Sequence, residues 1–211
     1  MKIGVDVITG FLGEGKSNFI NDYIDYTKVE GERIYVIAYE KGNTKLNESH
    51  NSSYLVKVKY IDGEEVKLND TIDEVIKSVK PHRIIIEYNG TMNLIELYKE
   101  LSKKEARRWV KLFNIIFISS GKNLASYIKN LGDFILPFVE NSDVVIINNI
   151  KDINTHDLES VVNFIEKTNH KAHIFIEDTN EKILNSMNNK NLILNEKSRE
   201  FIVKLINLSN K

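Results

Sequence analysis

Eight consecutive residues carry the most specific chemistry in the chain. Gly10-Phe11-Leu12-Gly13-Glu14-Gly15-Lys16-Ser17 follows the spacing G-x-x-x-x-G-K-[ST]. Gly10, Gly13 and Gly15 have no Cβ, so the segment can wrap tightly and turn successive backbone N–H groups onto one anion. A helix opening near Lys16 and running on through Asn18 adds the positive end of its dipole. Lys16 supplies a point charge for the β- and γ-phosphates, and Ser17 offers its hydroxyl to Mg²⁺. The chemistry is the binding of a nucleoside triphosphate by its phosphates.

Such a loop works only between a strand and a helix, and the flanking sequence predicts both. Ile3–Thr9 reads as a buried strand, and Phe19, Ile20, Tyr23 and Ile24 recur at helical spacing. Further Ile- and Val-rich runs occur at Arg33–Ala38, Arg83–Glu87, Ile115–Ser119, Val144–Asn148 and His173–Glu177. Helical periods lie between and after them: Ile72, Val75, Ile76 and Val79; Leu158, Val161, Val162 and Ile165; Phe201, Ile202, Leu205 and Leu208. Strands alternating with helices predict an α/β chain with a doubly wound, mostly parallel sheet in a three-layer P-loop NTPase fold. One stretch departs from the rhythm. A polar loop after Glu40, the run Tyr54–Tyr60, the turn dipeptide Asp62-Gly63 and a return at Val66–Leu68 predict a small β-hairpin insertion.

The chain has 211 residues, which at about 150 per domain fits one nucleotide-binding domain over 1–211. No cysteine occurs, excluding disulfides and thiolate metal sites. Lys+Arg number 29 against Asp+Glu 30, so no basic excess points to nucleic acid. The first ten residues are too short an apolar run for a signal peptide or a membrane span, and a cytoplasmic location without membrane contact is expected.

Glu87 ends a predicted strand near the loop, where a carboxylate can hold Mg²⁺, and Gly90 follows where the backbone can approach the γ-phosphate. The wording GFLGEGKS resembles the GFLGxGK[ST] loop of the CobW family of P-loop GTPases, relatives of the nickel-insertion GTPases of urease and hydrogenase maturation. Tyr39-Glu40-Lys41-Gly42 stands where that family has Asn-Glu-x-Gly, and Glu87-Tyr88-Asn89-Gly90 is similar to its E-x-x-G. By this resemblance Glu40 faces the metal or positions the attacking water. The strand Asp143–Asn148 is similar to the one leading into the guanine-reading N-K-x-D. Without a gap, Asn148-Asn149-Ile150-Lys151 occupies that motif, and both Lys and Asp are lost. Shifted by one residue, Asn149-Ile150-Lys151-Asp152 restores the Asn and the Asp, with Ile150 for the Lys. The shifted register is preferred because it keeps a carboxylate for the base.

Two further departures matter. The family's Cys-x-Cys-Cys motif is absent, and the pairs Glu48 with His50 and His170 with His173 each lack a third ligand. The chain also ends about 60 residues after Asn149, the span of a core without the family's added C-terminal domain. The resemblance implies a slow, Mg²⁺-dependent hydrolase of GTP, with ATP open. It would act as a switch or chaperone for a client metalloenzyme or cofactor enzyme, and would dimerise around nucleotide. Two other readings stand beside it: a small-metabolite kinase using Lys103–Arg108 as a basic lid, and a nucleotide-holding module that never hydrolyses.

Overall fold

The structure is a computed structural model and describes residues 2–39, 41–61 and 68–209. Its centre is a single sheet in the order β3-β4-β2-β5-β1-β6-β7-β8. The strands are β1 (Ile3–Gly10), β2 (Glu32–Ala38), β3 (Ser49–His50), β4 (Tyr54–Tyr60), β5 (Arg83–Asn89), β6 (Val110–Ser120), β7 (Val144–Asn148) and β8 (His173–Ile176). All pairings are parallel except β3 with β4. Parallel strands demand cover on both faces, which is why β1 is buried along its whole length.

The helices are α1 (Lys16–Thr27), α2 (Leu68–Val79), α3 (Leu94–Ser102), α4 (Lys104–Trp109), α5 (Gly121–Glu140), α6 (Thr155–Thr168), α7 (Asn180–Asn189) and α8 (Glu196–Ser209). Phe19, Ile20 and Tyr23 of α1 and Ile183, Leu184 and Met187 of α7 pack on one face, against Ile8, Ile34, Val36 and Ile85. On the other face α2, α3, α5 and α6 bury Ile72, Leu97, Phe138 and Ile165 against Val5, Val7, Ile84 and Ile86. The result is the three-layer αβα arrangement. Its strands deliver Gly10, Ala38, Asn89, Ser120 and Asn148 to one edge of the sheet, the edge where ligands bind in open α/β folds.

The structure differs from the sequence expectation in several places. The predicted hairpin turn Asp62-Gly63 and most of its return lie outside the described residues, and Leu68 opens α2 instead of ending a strand. Tyr54–Tyr60 joins the main sheet beside β2, and its antiparallel partner is β3, upstream of it. β6 begins five residues before the apolar run Ile115–Ser119. It carries a bulge there: Val5 pairs with Leu112 and Asp6 with Asn114, leaving Phe113 as the extra residue. α8 is rotated from its apparent apolar stripe, so that Val203 and Ile206 are buried while Phe201, Leu205 and Leu208 are exposed. Polar anchors fix that rotation, with Arg33 donating to Asn207 at 3.0 Å and Arg199 lying 3.8 Å from Glu32. Finally, Lys103–Arg108 caps and forms α4, which leads into Val110 opposite Ile3. That is the far end of β1 from the phosphate loop, so this segment is not a lid over it.

Candidate nucleotide site

The loop between β1 and α1 is held open by contacts that its own sequence specifies. Gly10 has φ +147°, and a Cβ there would sit 2.2 Å from the Ile118 carbonyl oxygen. Lys16, 3% exposed, bends back so that its ammonium donates to the Phe11 carbonyl at 2.8 Å. α1 begins with no side-chain cap from Gly15, and the first N–H groups of a helix are the ones that take up an anion. Leu12 and Asn18 stand exposed on the rim.

Glu14 is turned away from the loop's concave side. Its carboxylate accepts the Ser120 N–H at 2.5 Å, the Asn123 amide at 2.8 Å and the Tyr127 hydroxyl at 3.2 Å. Burial and the adjacent Glu14 carboxylate both push the Tyr127 phenol up, so it stays a donor. Phe11 packs on the same helix, 4.5 Å from the Tyr127 ring. Glu14 and Phe11 therefore bolt the loop to α5, a role that the motif's unspecified positions do not reveal.

Ser17 and Glu87 meet at the floor. The Ser17 hydroxyl donates to Glu87 Oε1 at 2.7 Å, and Glu87 is 1% exposed. A charge-assisted bond of this kind contributes about 1.5–3 kcal/mol. It also fixes Ser17 with its oxygen lone pairs available. A hydroxyl and a carboxylate are hard oxygen donors, so the pair fits Mg²⁺, which is usually held by one or two such groups plus phosphate oxygens. Among the described residues, no group of three or more His, Asp or Glu is placed to cage a metal. Glu48 instead accepts the Val58 N–H at 3.0 Å, and His173 opens β8.

Gly90 lies directly on the loop. Its N–H donates to the Gly10 carbonyl at 2.9 Å, and a Cβ would come within 2.7–2.9 Å of the Gly10 and Phe11 backbone. Beside it, the Tyr88 hydroxyl donates to the Asn93 carbonyl at 3.1 Å, and burial pushes this phenol up to about 12. After β2, the Tyr39 N–H donates to the Glu87 carbonyl at 3.0 Å, so the start of the following loop is tied to the same strand. Glu40 lies outside the described residues. Its neighbours Lys41 to Thr44 fold over the floor, with Gly42 only 3.7 Å from Ser17 Oγ when measured from a Cβ position. Together with Gly13, Lys16, Ser17 and Glu87 they enclose a cavity of about 230 Å³. Sequence reading misses Asn43 and Thr44 as lining residues; their position just after β2, opposite Ser17, is the available signal.

Asn148 is the residue of the base motif that reaches the loop. Its amide donates to the Glu14 carbonyl at 2.9 Å, while its Oδ1 is buried without a hydrogen-bond partner. Asn149 follows with φ +49° and is exposed. Asp152 lies exposed at the end of the short 3-10 turn Ile150–Asp152. The carboxylate of Asp178 lies beside that turn, accepting the Ile150 N–H at 2.9 Å and standing 3.8 Å from Lys151. The contact of Asn148 with the loop fits the ungapped register, in which Lys151 occupies the fourth position.

Several solved structures share this architecture. The zinc-bound YjiA GTPase of E. coli superimposes with a TM-score of 0.62 at 18% identity, over 83% of this chain and 57% of that one. The hydrogenase maturation factor HypB of Archaeoglobus fulgidus gives 0.56 at 14%, over 89% of each chain. HypB of Helicobacter pylori, in complex with nickel, gives 0.56 at 14%, over 91% of this chain and 90% of that one. At these identities the likeness is one of fold, and the chain spans little more than half the length of YjiA. No protein of curated function matches in sequence. The CobW/HypB/UreG nucleotide-binding domain does match, over residues 4–176, taking in the phosphate loop, Glu87 and Asn148. This chain belongs to the CobW/HypB/UreG nucleotide-binding domain family.

Proposed function

We propose that the protein binds a Mg²⁺–nucleoside triphosphate, GTP before ATP, hydrolyses it slowly and uses the change as a switch that assists a metal- or cofactor-dependent client enzyme. The observation that carries this reading is the buried Ser17–Glu87 hydrogen bond on the floor of the phosphate loop. It joins two hard oxygen donors at the point where Mg²⁺ and phosphate oxygens would meet. Lys16 and the uncapped N–H groups of α1 bind the phosphates. Mg²⁺, when bound, supplies charge for the leaving phosphate oxygens. The loop from Lys41 to Thr44 excludes water from Ser17. Gly90, stacked on Gly10, is placed to sense the terminal phosphate through the loop backbone. Asn148 braces the loop and is the nearest residue of the base motif, and Asn149 and Asp152 remain candidates for the base on a rearranged turn. Glu40 is the candidate for positioning water. The neighbours YjiA and HypB, a GTPase and a hydrogenase maturation factor by name, support the switch role.

One observation favours a looser base preference as a second reading. With Asn148 on the loop, Lys151 instead of a carboxylate stands at the base-reading position, and it faces Asp178. Calorimetric titration with Mg²⁺ and non-hydrolysable GTP and ATP analogues tests both readings. A preference for GTP supports the first, and equal affinities support the second. Lys16→Ala should abolish binding of either analogue, and unchanged affinity would remove the phosphate-loop assignment. Glu87→Gln should keep binding but weaken its Mg²⁺ dependence.

A further inference from the structure

A second cavity lies at the opposite end of the sheet, roofed by α8. Its volume is about 500 Å³, within the range of small-molecule pockets. The strand ends beneath it are built against the ordinary preferences of a core. Asp6 interrupts the apolar run of β1 and is 3% exposed; Glu32, Arg83 and Arg199 are equally withdrawn from solvent, at 3%, 4% and 6%. Burying four ionisable groups costs several kcal/mol each unless they are well paired.

The carboxylates are paired. Glu32 lies 2.9 Å from Arg83 Nε and accepts the Val29 N–H at 3.2 Å. Asp6 accepts the Tyr23 hydroxyl at 3.1 Å and the Asn114 amide at 3.0 Å. Arg199 is held more loosely. Its Nε donates to the Leu194 carbonyl at 3.1 Å and its Nη1 makes a long ion pair with Glu32 at 3.8 Å, while among the described residues no hydrogen bond runs from either terminal amine. The cavity lining also includes Lys2 and Lys111, so four cations face two satisfied carboxylates. The remaining wall is mixed, with His82, Asn114 and Asn191 beside an apolar part. The β6 bulge drives Phe113 over Gly4, where a Cβ would lie 2.4 Å from the ring, and Leu192, Leu194 and Ile202 close the other side. Bulges and strand glycines weaken a sheet, and they are found where a side chain is re-aimed toward a ligand.

We propose that this cavity is a binding site for a small monoanionic carboxylate with an apolar body, its carboxylate on the terminal amines of Arg199, which make no hydrogen bond among the described residues, and its body against Phe113, Leu192 and Ile202. The site is separate from the phosphate loop and independent of the nucleotide assignment. The probe is octanoate, titrated calorimetrically into the full chain, with octylammonium as the charge-reversed control. Octanoate should bind saturably at one molecule per chain, and octylammonium should not. Arg199→Gln should weaken octanoate by about tenfold or more. Because Arg199 also anchors α8, Ile202→Trp provides a second variant that fills the cavity and keeps every charge. It should abolish octanoate binding and leave binding of a GTP analogue unchanged. Absence of saturable octanoate binding, equal binding of octylammonium, or octanoate affinity that survives Ile202→Trp would overturn the proposal; the last would place the fatty chain on the exposed Phe201–Leu208 stripe instead.

Discussion

The two ends of the sheet solve the problem of burying polar groups in opposite ways. At the phosphate-loop end the polar atoms are mostly backbone amides and carbonyls, gathered within Gly10–Ser17 and tied down by Glu14, Glu87 and Asn148. At the other end they are full charges, Asp6, Glu32, Arg83 and Arg199, brought together from three strands and the last helix. The first arrangement turns backbone donors toward an anionic guest and limits its buried charges to Lys16, Glu14 and Glu87 around the loop. The second costs desolvation and recovers it through pairing, so it depends on every member being present. The phosphate end should therefore answer mutation mainly in affinity, and the charged end mainly in stability.

The largest effect expected from breaking this contrast is at Glu32. Glu32→Leu leaves Arg83 buried without its carboxylate, and removal of one partner of a buried pair costs about 3–5 kcal/mol. Urea unfolding should report a loss of that size. The affinity of the folded protein for a GTP analogue should stay within about twofold, since a tenfold change in affinity would need about 1.4 kcal/mol at the phosphate loop itself.

His82 gives the next effect. It is 2% exposed, its Nδ1 accepts the Arg33 N–H at 2.8 Å, and its Nε2 lies 3.2 Å from Asn207 Oδ1. Burial, with the Arg33 charge adding to it, depresses its pKa from 6.5 to about 4. The unfolded chain therefore binds a proton that the folded chain refuses between those values. Stability is full above pH 6.5 and declines as pH falls toward 4, by at most about 3 kcal/mol. Denaturant midpoints measured across about pH 4–7 should show this slope, and His82→Leu, less stable at neutral pH, should flatten it.

The smallest effect sharpens the comparison from the phosphate end. Gly90→Ala drives a methyl into the Gly10–Phe11 backbone at 2.7–2.9 Å. Overpacking of this kind costs about 1–3 kcal/mol, and it falls on the loop itself. Nucleotide affinity should drop more than the unfolding midpoint does, which paired calorimetry and thermal melts on the same sample would reveal.

The same contrast explains what the sequence can and cannot disclose. The phosphate loop is legible because its chemistry is contiguous: eight residues, one strand before and one helix after. Glu87 is reachable for a related reason, since it lies near the end of the buried strand β5, opposite Ile8 of β1. The charged end is not legible, because nothing local marks Asp6 and Arg199 as neighbours; they meet only once β1 is central and α8 crosses the strand ends. Periodicity misplaces the face of α8 because two apolar stripes share the helix, and its polar anchors Arg199 and Asn207 decide between them. The base motif stays divided between two registers in an Asn-rich stretch, and what the fold adds is the bond from Asn148 to the Glu14 carbonyl.

Strand β4, flanked on its outer side by the two-residue β3, has a consequence for how copies of the chain meet. A seven-residue strand at the margin of a sheet is a template on which another chain can add its own backbone. Here that template is spoiled. Ser49 and His50 pair with Val56 and Leu55, and the Glu48 carboxylate takes the outward N–H of Val58. Lys57 and Lys59 complete the row with charge. A strand arriving from a neighbouring molecule meets a short hairpin and then an occupied donor, which disfavours growth of the sheet from one molecule into the next along this stretch.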